Sequence, residues 1–309
     1  MSSGQPLRVG LVGCGRLAEL GYLPALAGLD QVRLAAVADP DARRRDRIAS
    51  LSAAVKARPR AHGTLGELVA AGDVDALVIA SPPIEHLGQA ELAAAAGLPA
   101  LVEKPPAPAL AGAERLAALN PAPWIGFNRR FQHGVPLLGR LPSDGPLELE
   151  LELDYRRRSW RPLTVDEEAL TDIVPHLVDL ALVLSGVGEA RVSAARISHD
   201  RAQLDLDTGR GRARIRCASD RPHRERIRAR GEGGRRLATI GSGGPVAALN
   251  SRLPGRAHPL VQSLRDQLGA FASAIRGGSP GLLASAADGA RVMRVIDEAR
   301  RVAAASPAT

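Results

Sequence analysis

Aromatic side chains are nearly missing from this sequence of 309 residues, which has three Phe, two Trp and two Tyr. A core must therefore be filled by Ala, Leu and Val, and apolar residues still make up 45% of the chain. Cysteine is equally scarce: Cys14 and Cys217 stand far apart and without metal-ligand spacing. That excludes a disulfide framework and a zinc site, and fits a reducing, cytoplasmic compartment. No apolar run approaches the ~18–20 residues that cross a bilayer, so no membrane association is expected. Leu11-Val12-Gly13-Cys14 has the look of a lipoprotein cleavage box, but its apolar stretch is only about six residues and lacks a cationic leader. Lysine is rare too, and the net charge of +8 is almost all arginine. A nucleic-acid binder would add aromatic stacking platforms or a reading motif, and neither is present. The charge suits anionic small molecules instead.

What is present is regular. Leu7–Val12 reads as a strand and Leu17–Ala27 as a helix. Val32–Ala38 is a second strand, followed by a charged helix from Asp41 to about Lys56. A short helix at Leu65–Ala71 precedes a buried strand at Ala76–Ala80. Then come a helix at Ile84–Ala96, a strand at Leu101–Glu103, a helix at Ala109–Leu119 and a strand at Trp124–Phe127. Strands alternating with helices imply βαβ crossovers and a doubly wound parallel sheet.

After Asn128 the pattern changes. Leu147–Asp154 alternates Leu with Glu or Asp, a strict period of two that marks a strand with one wet face. Arg212–Cys217 and Arg224–Arg230 alternate with arginine, and Leu204–Asp207 does so in miniature. Such strands suit an open, mostly antiparallel sheet with one face on helices. If they are neighbours, Glu148, Glu150, Glu152 and Asp154 meet arginine rows in cross-strand ion pairs. Thr171–Ser185 reads as helical, and Leu264–Ile275 and Ser285–Ala305 are amphipathic helices. The division expected is a first domain over 1–127 and a second α/β domain over 128–309.

The chemistry begins at Gly13-Cys14-Gly15-Arg16-Leu17-Ala18, which follows a strand and opens a helix. This is the dinucleotide fingerprint with Ala in its last place. Gly13 permits the tight turn, Gly15 lets backbone approach a pyrophosphate, and Ala18 lets helix and strand pack closely. The pyrophosphate would sit against the helix N-terminus. Asp39 ends the second strand, where its carboxylate can accept the adenosine ribose hydroxyls and repel a 2′-phosphate. NAD is therefore the expected cofactor, although Arg43 and Arg44 leave NADP open.

Lys104 follows the fifth parallel strand in Glu103-Lys104-Pro105. Ligands of open α/β sheets lie beyond the carboxyl ends of the strands, so Lys104 can reach a substrate hydroxyl; an ordinary exposed lysine before a turn is the alternative. Asp172, His176 and Asp179 share a helix face, with Pro175 tolerated if it falls in the first turn. His176 is the best candidate for proton transfer near neutral pH, with Asp172 orienting it. A helix-capping Asp and a hydrogen-bonded His are the alternative. Nothing supplies metal ligands.

With these groups in place, the chain resembles the Gfo/Idh/MocA family of oxidoreductases nearly end to end. The resemblance is carried by Gly13–Ala18, Ser81-Pro82-Pro83 with His86, Glu103-Lys104-Pro105, Gly126-Phe127-Asn128-Arg129-Arg130-Phe131 and Asp172…His176…Asp179. It implies a Rossmann domain and an α/β domain whose open sheet commonly mediates oligomers, here a homodimer or homotetramer. It implies NAD(H)-dependent hydride transfer at a hydroxyl or keto carbon of a sugar, sugar nucleotide or cyclitol. Lys104 and His176 would assist proton transfer, with Asp172 nearby. Gly13, Cys14, Gly15, Arg16, Leu17, Asp39, Ser81, Pro82, Pro83, His86, Glu103 and Lys104 would line the cofactor. Asn128, Arg129, Asp172, His176 and Lys104 would face the substrate. Relatives that use NAD transiently without net redox, and others that only sense a dinucleotide, are the alternatives. The chain departs from the family pattern in two places. Asp166-Glu167-Glu168-Ala169-Leu170 stands where a Gly-rich stretch is usual, and Val174 where a Gly precedes the histidine.

Overall fold

The computed structural model describes residues 5–53, 58–139, 141, 144–156, 168–243 and 258–305. Residues 54–57, where the charged helix was expected to end, and Asp166-Glu167 lie outside them. Among the described residues, 5–132 with 258–290 form one compact unit, and 133–243 with 291–305 form another.

The first unit opens with β1 (Leu7–Val12), a π-helical turn (Ala18–Tyr22) and α1 (Leu23–Leu26). It continues through β2 (Val32–Ala38), α2 (Ala42–Ala53), β3 (Arg60–His62), α3 (Leu65–Ala71), β4 (Ala76–Ile79) and α4 (Pro83–Ala95). Next are β5 (Ala100–Val102), α5 (Leu110–Ala117), β6 (Trp124–Ile125) and a 3-10 turn (Asn128–Phe131). The seven strands run in the order β13-β6-β5-β4-β1-β2-β3, parallel throughout except at one edge, where β13 (Ala284–Ser285) runs antiparallel to β6. This is the doubly wound sheet anticipated from the alternation of strands and helices. The centre of the sheet is buried on both faces, and β4 has no exposed position at all, as parallel sheets covered by helices require.

Few aromatics suffice here because α9 (Pro259–Ile275) packs Val261, Leu264, Leu268 and Phe271 into the Leu/Val core of the sheet. Trp124 meets Phe271 edge-on at 5.6 Å, the arrangement that aromatic quadrupoles favour. The strand expected to run to Phe127 stops at Ile125. The amide of Gly126 still reaches the Val102 carbonyl at 2.7 Å, but Phe127 then turns back to the Ile125 carbonyl and the 3-10 turn begins.

The second unit holds α6 (Val135–Leu138), β7 (Leu147–Arg156), α7 (Ala169–Asp172), α8 (Val174–Ser185) and β8 (Arg191–Ser198). It adds β9 (Arg201–Asp207), β10 (Gly211–Ala218), β11 (Asp220–Arg230), β12 (Arg236–Gly243) and the greater part of α10 (Ala286–Ala305). Its six strands run β12-β11-β7-β10-β9-β8, antiparallel except for the β7–β10 pair. Leu147, Leu149, Leu151 and Leu153 of β7 are buried, as are Ala213, Ile215 and Cys217 of β10, and α8 packs against both strands. The opposite face carries ion pairs expected at Glu150 and Glu152, from Arg228 at 3.0 Å and Arg226 at 3.8 Å, and a further one from Arg214 to Asp205 at 2.7 Å. The helical stretch 171–185 is two helices joined at Ile173, and Pro175 falls in the first turn of α8, where its missing N–H costs no hydrogen bond.

Candidate functional site

In the first unit the glycine loop is built against the ends of three strands. The Gly13 amide donates to the Ala38 carbonyl at 2.8 Å, and Gly13 has φ +90°. A Cβ there would lie 2.7 Å from the backbone of Ala80 and Ser81, so only glycine fits. Gly15 is the reverse case: a Cβ would meet nothing within 4 Å. That open side of the loop is the space a pyrophosphate would take, which is the fit the fingerprint requires.

Asp39 is buried and fixes this loop from below. Its Oδ2 accepts the Cys14 amide at 2.8 Å, and its Oδ1 accepts the Asp41 amide at 2.9 Å. Cys14 is no nucleophile, since burial, reinforced by the Asp39 charge, pushes its thiol up to about 12. Arg16 and Arg47 both pair with Glu19, at 3.3 and 2.6 Å, and the hydrogen bond from Arg47 holds that carboxyl below its usual range. Leu17 leads into the π-helical turn, and Ala18 is fully buried behind the loop.

Ser81, Pro82 and Pro83 form the entry to α4, with Pro83 as its first residue. The Ser81 hydroxyl donates to Oε1 of Gln89 at 2.6 Å. His86, one turn further, is wholly buried: its Nε2 lies 2.9 Å from the Ser81 carbonyl and its Nδ1 3.0 Å from that of Pro105. It thus braces the Pro-Pro turn against the Glu103-Lys104-Pro105 segment. Burial lowers its pKa, and the two carbonyls oppose that shift without reversing it.

Glu103 points inward rather than outward. Its Oε1 accepts the Tyr22 hydroxyl at 2.5 Å and its Oε2 accepts the Lys104 amide at 3.1 Å. Burial raises the Glu103 pKa and raises that of Tyr22 well above the usual phenol value. The Lys104 side chain is half-buried, near enough for its charge to act on both Glu103 and His86. Asn128 is buried, donating to Ser263 at 2.9 Å, and Arg129 reaches Gln132 at 3.2 Å. Neighbouring Arg130 is tied to Asp288 at 3.4 Å.

In the second unit Asp172 closes α7 and is buried, while His176 sits half-buried in the first turn of α8. The Tyr155 hydroxyl donates to Oδ2 of Asp172. Two participants in these arrangements escaped the motifs. Tyr22 gave no pattern beyond the helix that follows the loop. Tyr155 shares the parity of Leu147–Leu153, and that signal puts it on the covered side of β7. Among the described residues no group of three or more His, Cys, Asp or Glu side chains is placed to hold a metal ion, and no helix is long and apolar enough to cross a membrane.

Residues 7–121 match the profile of the Gfo/Idh/MocA oxidoreductases, described as an oxidoreductase family with an NAD-binding Rossmann fold. The chain is 30% identical over 208 residues to the UDP-N-acetylglucosamine 3-dehydrogenase of Acidithiobacillus ferrooxidans, covering 65% of this chain and 62% of that protein. It is 29% identical over 216 residues to an inositol 2-dehydrogenase of Saccharopolyspora erythraea, covering 67% and 61%. In both cases the match spans less than two thirds of the relative's length. The crystal structure of GenD2 from gentamicin A biosynthesis, in complex with NAD, superposes with a TM-score of 0.82 over 99% of this chain and 96% of that one, at 20% identity. That last likeness shows a common fold.

Proposed function

From the match of residues 7–121 to the Gfo/Idh/MocA oxidoreductases, we propose that the chain is an NAD(H)-dependent dehydrogenase or ketoreductase of that family. Its substrate is a sugar, sugar nucleotide or cyclitol. The observation that carries this reading is the glycine loop clamped by Asp39, open above Gly15 and closed beneath Gly13. The bound dinucleotide supplies the hydride acceptor or donor, the hard chemistry that side chains cannot provide.

What the chain's own residues do follows from their chemistry. Gly15, Arg16 and Leu17 present backbone N–H groups to a pyrophosphate, those of Gly13 and Cys14 being taken by the Ala38 carbonyl and Asp39, and Asp39 holds that backbone in place while its charge disfavours a 2′-phosphate. Glu103 and His86 fix the backbone on either side of Lys104. Lys104 binds the reacting oxygen, and His176 takes or returns its proton, paired with Asp172. Asn128 and Arg129 serve the substrate. The protein works as a homodimer or homotetramer in the cytoplasm.

The test is a fluorescence titration of the purified chain with NADH and NADPH, followed by turnover on a panel of sugars, nucleotide sugars and inositols. NADH binding and NAD-dependent oxidation of one class is the expected result. Lys104→Ala lowers kcat by about 100-fold or more while the NADH Kd stays within about twofold. Failure to bind either dinucleotide overturns the proposal.

A further inference from the structure

β7 carries four buried leucines at alternate positions, and Tyr155 follows them in the same parity, where the leucine row ends. Its hydroxyl donates to Oδ2 of Asp172, the last residue of α7. The bond joins a strand end to a helix end, so neither partner can turn without losing it. We propose that Tyr155 is a positioning residue, whose phenol holds the Asp172 carboxylate in one orientation as an ionised acceptor beside His176. The inference rests on the reading of Asp172 and His176 as active-site groups.

The surroundings make such a donor consequential. α8, packed against β7, carries His176 and Asp179, while Asp154 of β7 stands at the opposite parity from Tyr155, on the face of Glu150 and Glu152. β10 contributes Cys217, whose thiol burial pushes up to about 12, with the charges of Asp154 and Asp172 adding to the rise. β9, packed against α7, offers Ala202, Leu204 and Leu206 at its buried positions. An acidic neighbour such as Asp179 would favour protonation of a carboxyl. A phenol O–H directed at Asp172 favours the ionised form instead, and an ionised Asp172 is what stabilises a protonated His176 during transfer.

The experiment compares wild type with Tyr155→Phe in the absence of ligands, following the aspartate side-chain carboxyls by heteronuclear NMR. The Asp172 signal is assigned from its loss in Asp172→Asn. The expected result is an Asp172 pKa raised by roughly one unit. The acid limb of the kcat/KM profile should move upward by the same amount, with kcat down about tenfold and NADH affinity unchanged. An Asp172 titration unmoved by Tyr155→Phe overturns the proposal. A moved carboxyl with an unmoved acid limb supports the Tyr155–Asp172 bond and instead counts against Asp172 in the reaction. If Tyr155→Phe folds poorly, Asp172→Asn reads the same bond from the other side. The chain has only two tyrosines and Tyr22 is fully buried, so near-ultraviolet titration isolates the Tyr155 phenol. Its pKa falls in Asp172→Asn if the bond exists, and an unchanged value overturns the proposal.

Discussion

Oδ2 of Asp39 accepts the backbone N–H of Cys14 at 2.8 Å, tying the end of β2 to the glycine loop at the end of β1. An acid at this position is usually discussed for what it does to a ribose. Here it also has a structural duty, because the same carboxylate takes the Asp41 amide. Asp39→Ala leaves two N–H groups without their acceptor, one of them buried. It should cost about 2–4 kcal/mol of stability and weaken NADH binding by about tenfold or more. Thermal melts and an NADH titration on the same preparation check both. Normal NADH affinity in the destabilised variant would separate the two duties and refute the coupling.

The two loop glycines should fail in opposite ways. Gly13→Ala drives a Cβ into the Ala80–Ser81 backbone at positive φ, and should lower stability by about 2 kcal/mol or more. Gly15→Val fills the open side, and should leave the unfolding free energy nearly unchanged, within about 1 kcal/mol, while abolishing measurable NADH binding. If Gly15→Val bound NADH normally, the pyrophosphate does not lie above that residue.

His86 makes stability depend on pH with a definite sign. Burial lowers its pKa in the folded chain, so the unfolded chain binds the extra proton as pH falls below the ordinary histidine value of about 6.5. The stability that His86 contributes is present above that value and is lost toward acid. His86→Gln keeps one donor and has no proton to gain. Wild type should therefore be the more stable by about 1–3 kcal/mol near pH 8, and the gap should narrow steadily below about pH 6.5. Urea denaturation across that range measures it; a gap that widens toward acid contradicts a neutral, buried ring.

How much of this was legible in the sequence depends on how far each signal travels along the chain. β1, β2 and β4 were readable as apolar runs, broken only by Arg8 and Arg33 near the starts of the first two, because the centre of the sheet is buried on both faces. The Leu–Glu alternation of β7 was readable because one face is wet. β3 is only Arg60-Ala61-His62, an edge strand fixed by backbone pairing to β2, with no side-chain pattern to announce it. β13 is two residues that pair with β6 from far along the chain. β8 was hidden by the register shift between Val192 and Ala194, which breaks its alternation. At the site, the glycine loop and the Glu-Lys-Pro segment are local and could be read directly. The inward turn of Glu103 toward Tyr22, and the bond from Tyr155 to Asp172, join residues that only the folded chain brings together.

The lone parallel pairing in the second sheet has a kinetic consequence. β8, β9 and β10 follow one another through short turns and can assemble as a local meander at little loop-closure cost. β7 lies at the centre of the sheet yet must find β10 across α7, α8, β8 and β9, with Leu147 opposite Gly211. A slip of one residue would turn its leucines to water and its glutamates onto the helices. Contacts so distant in sequence form slowly, so β7 should dock last, onto a meander already formed. That docking should set the refolding rate of the second unit.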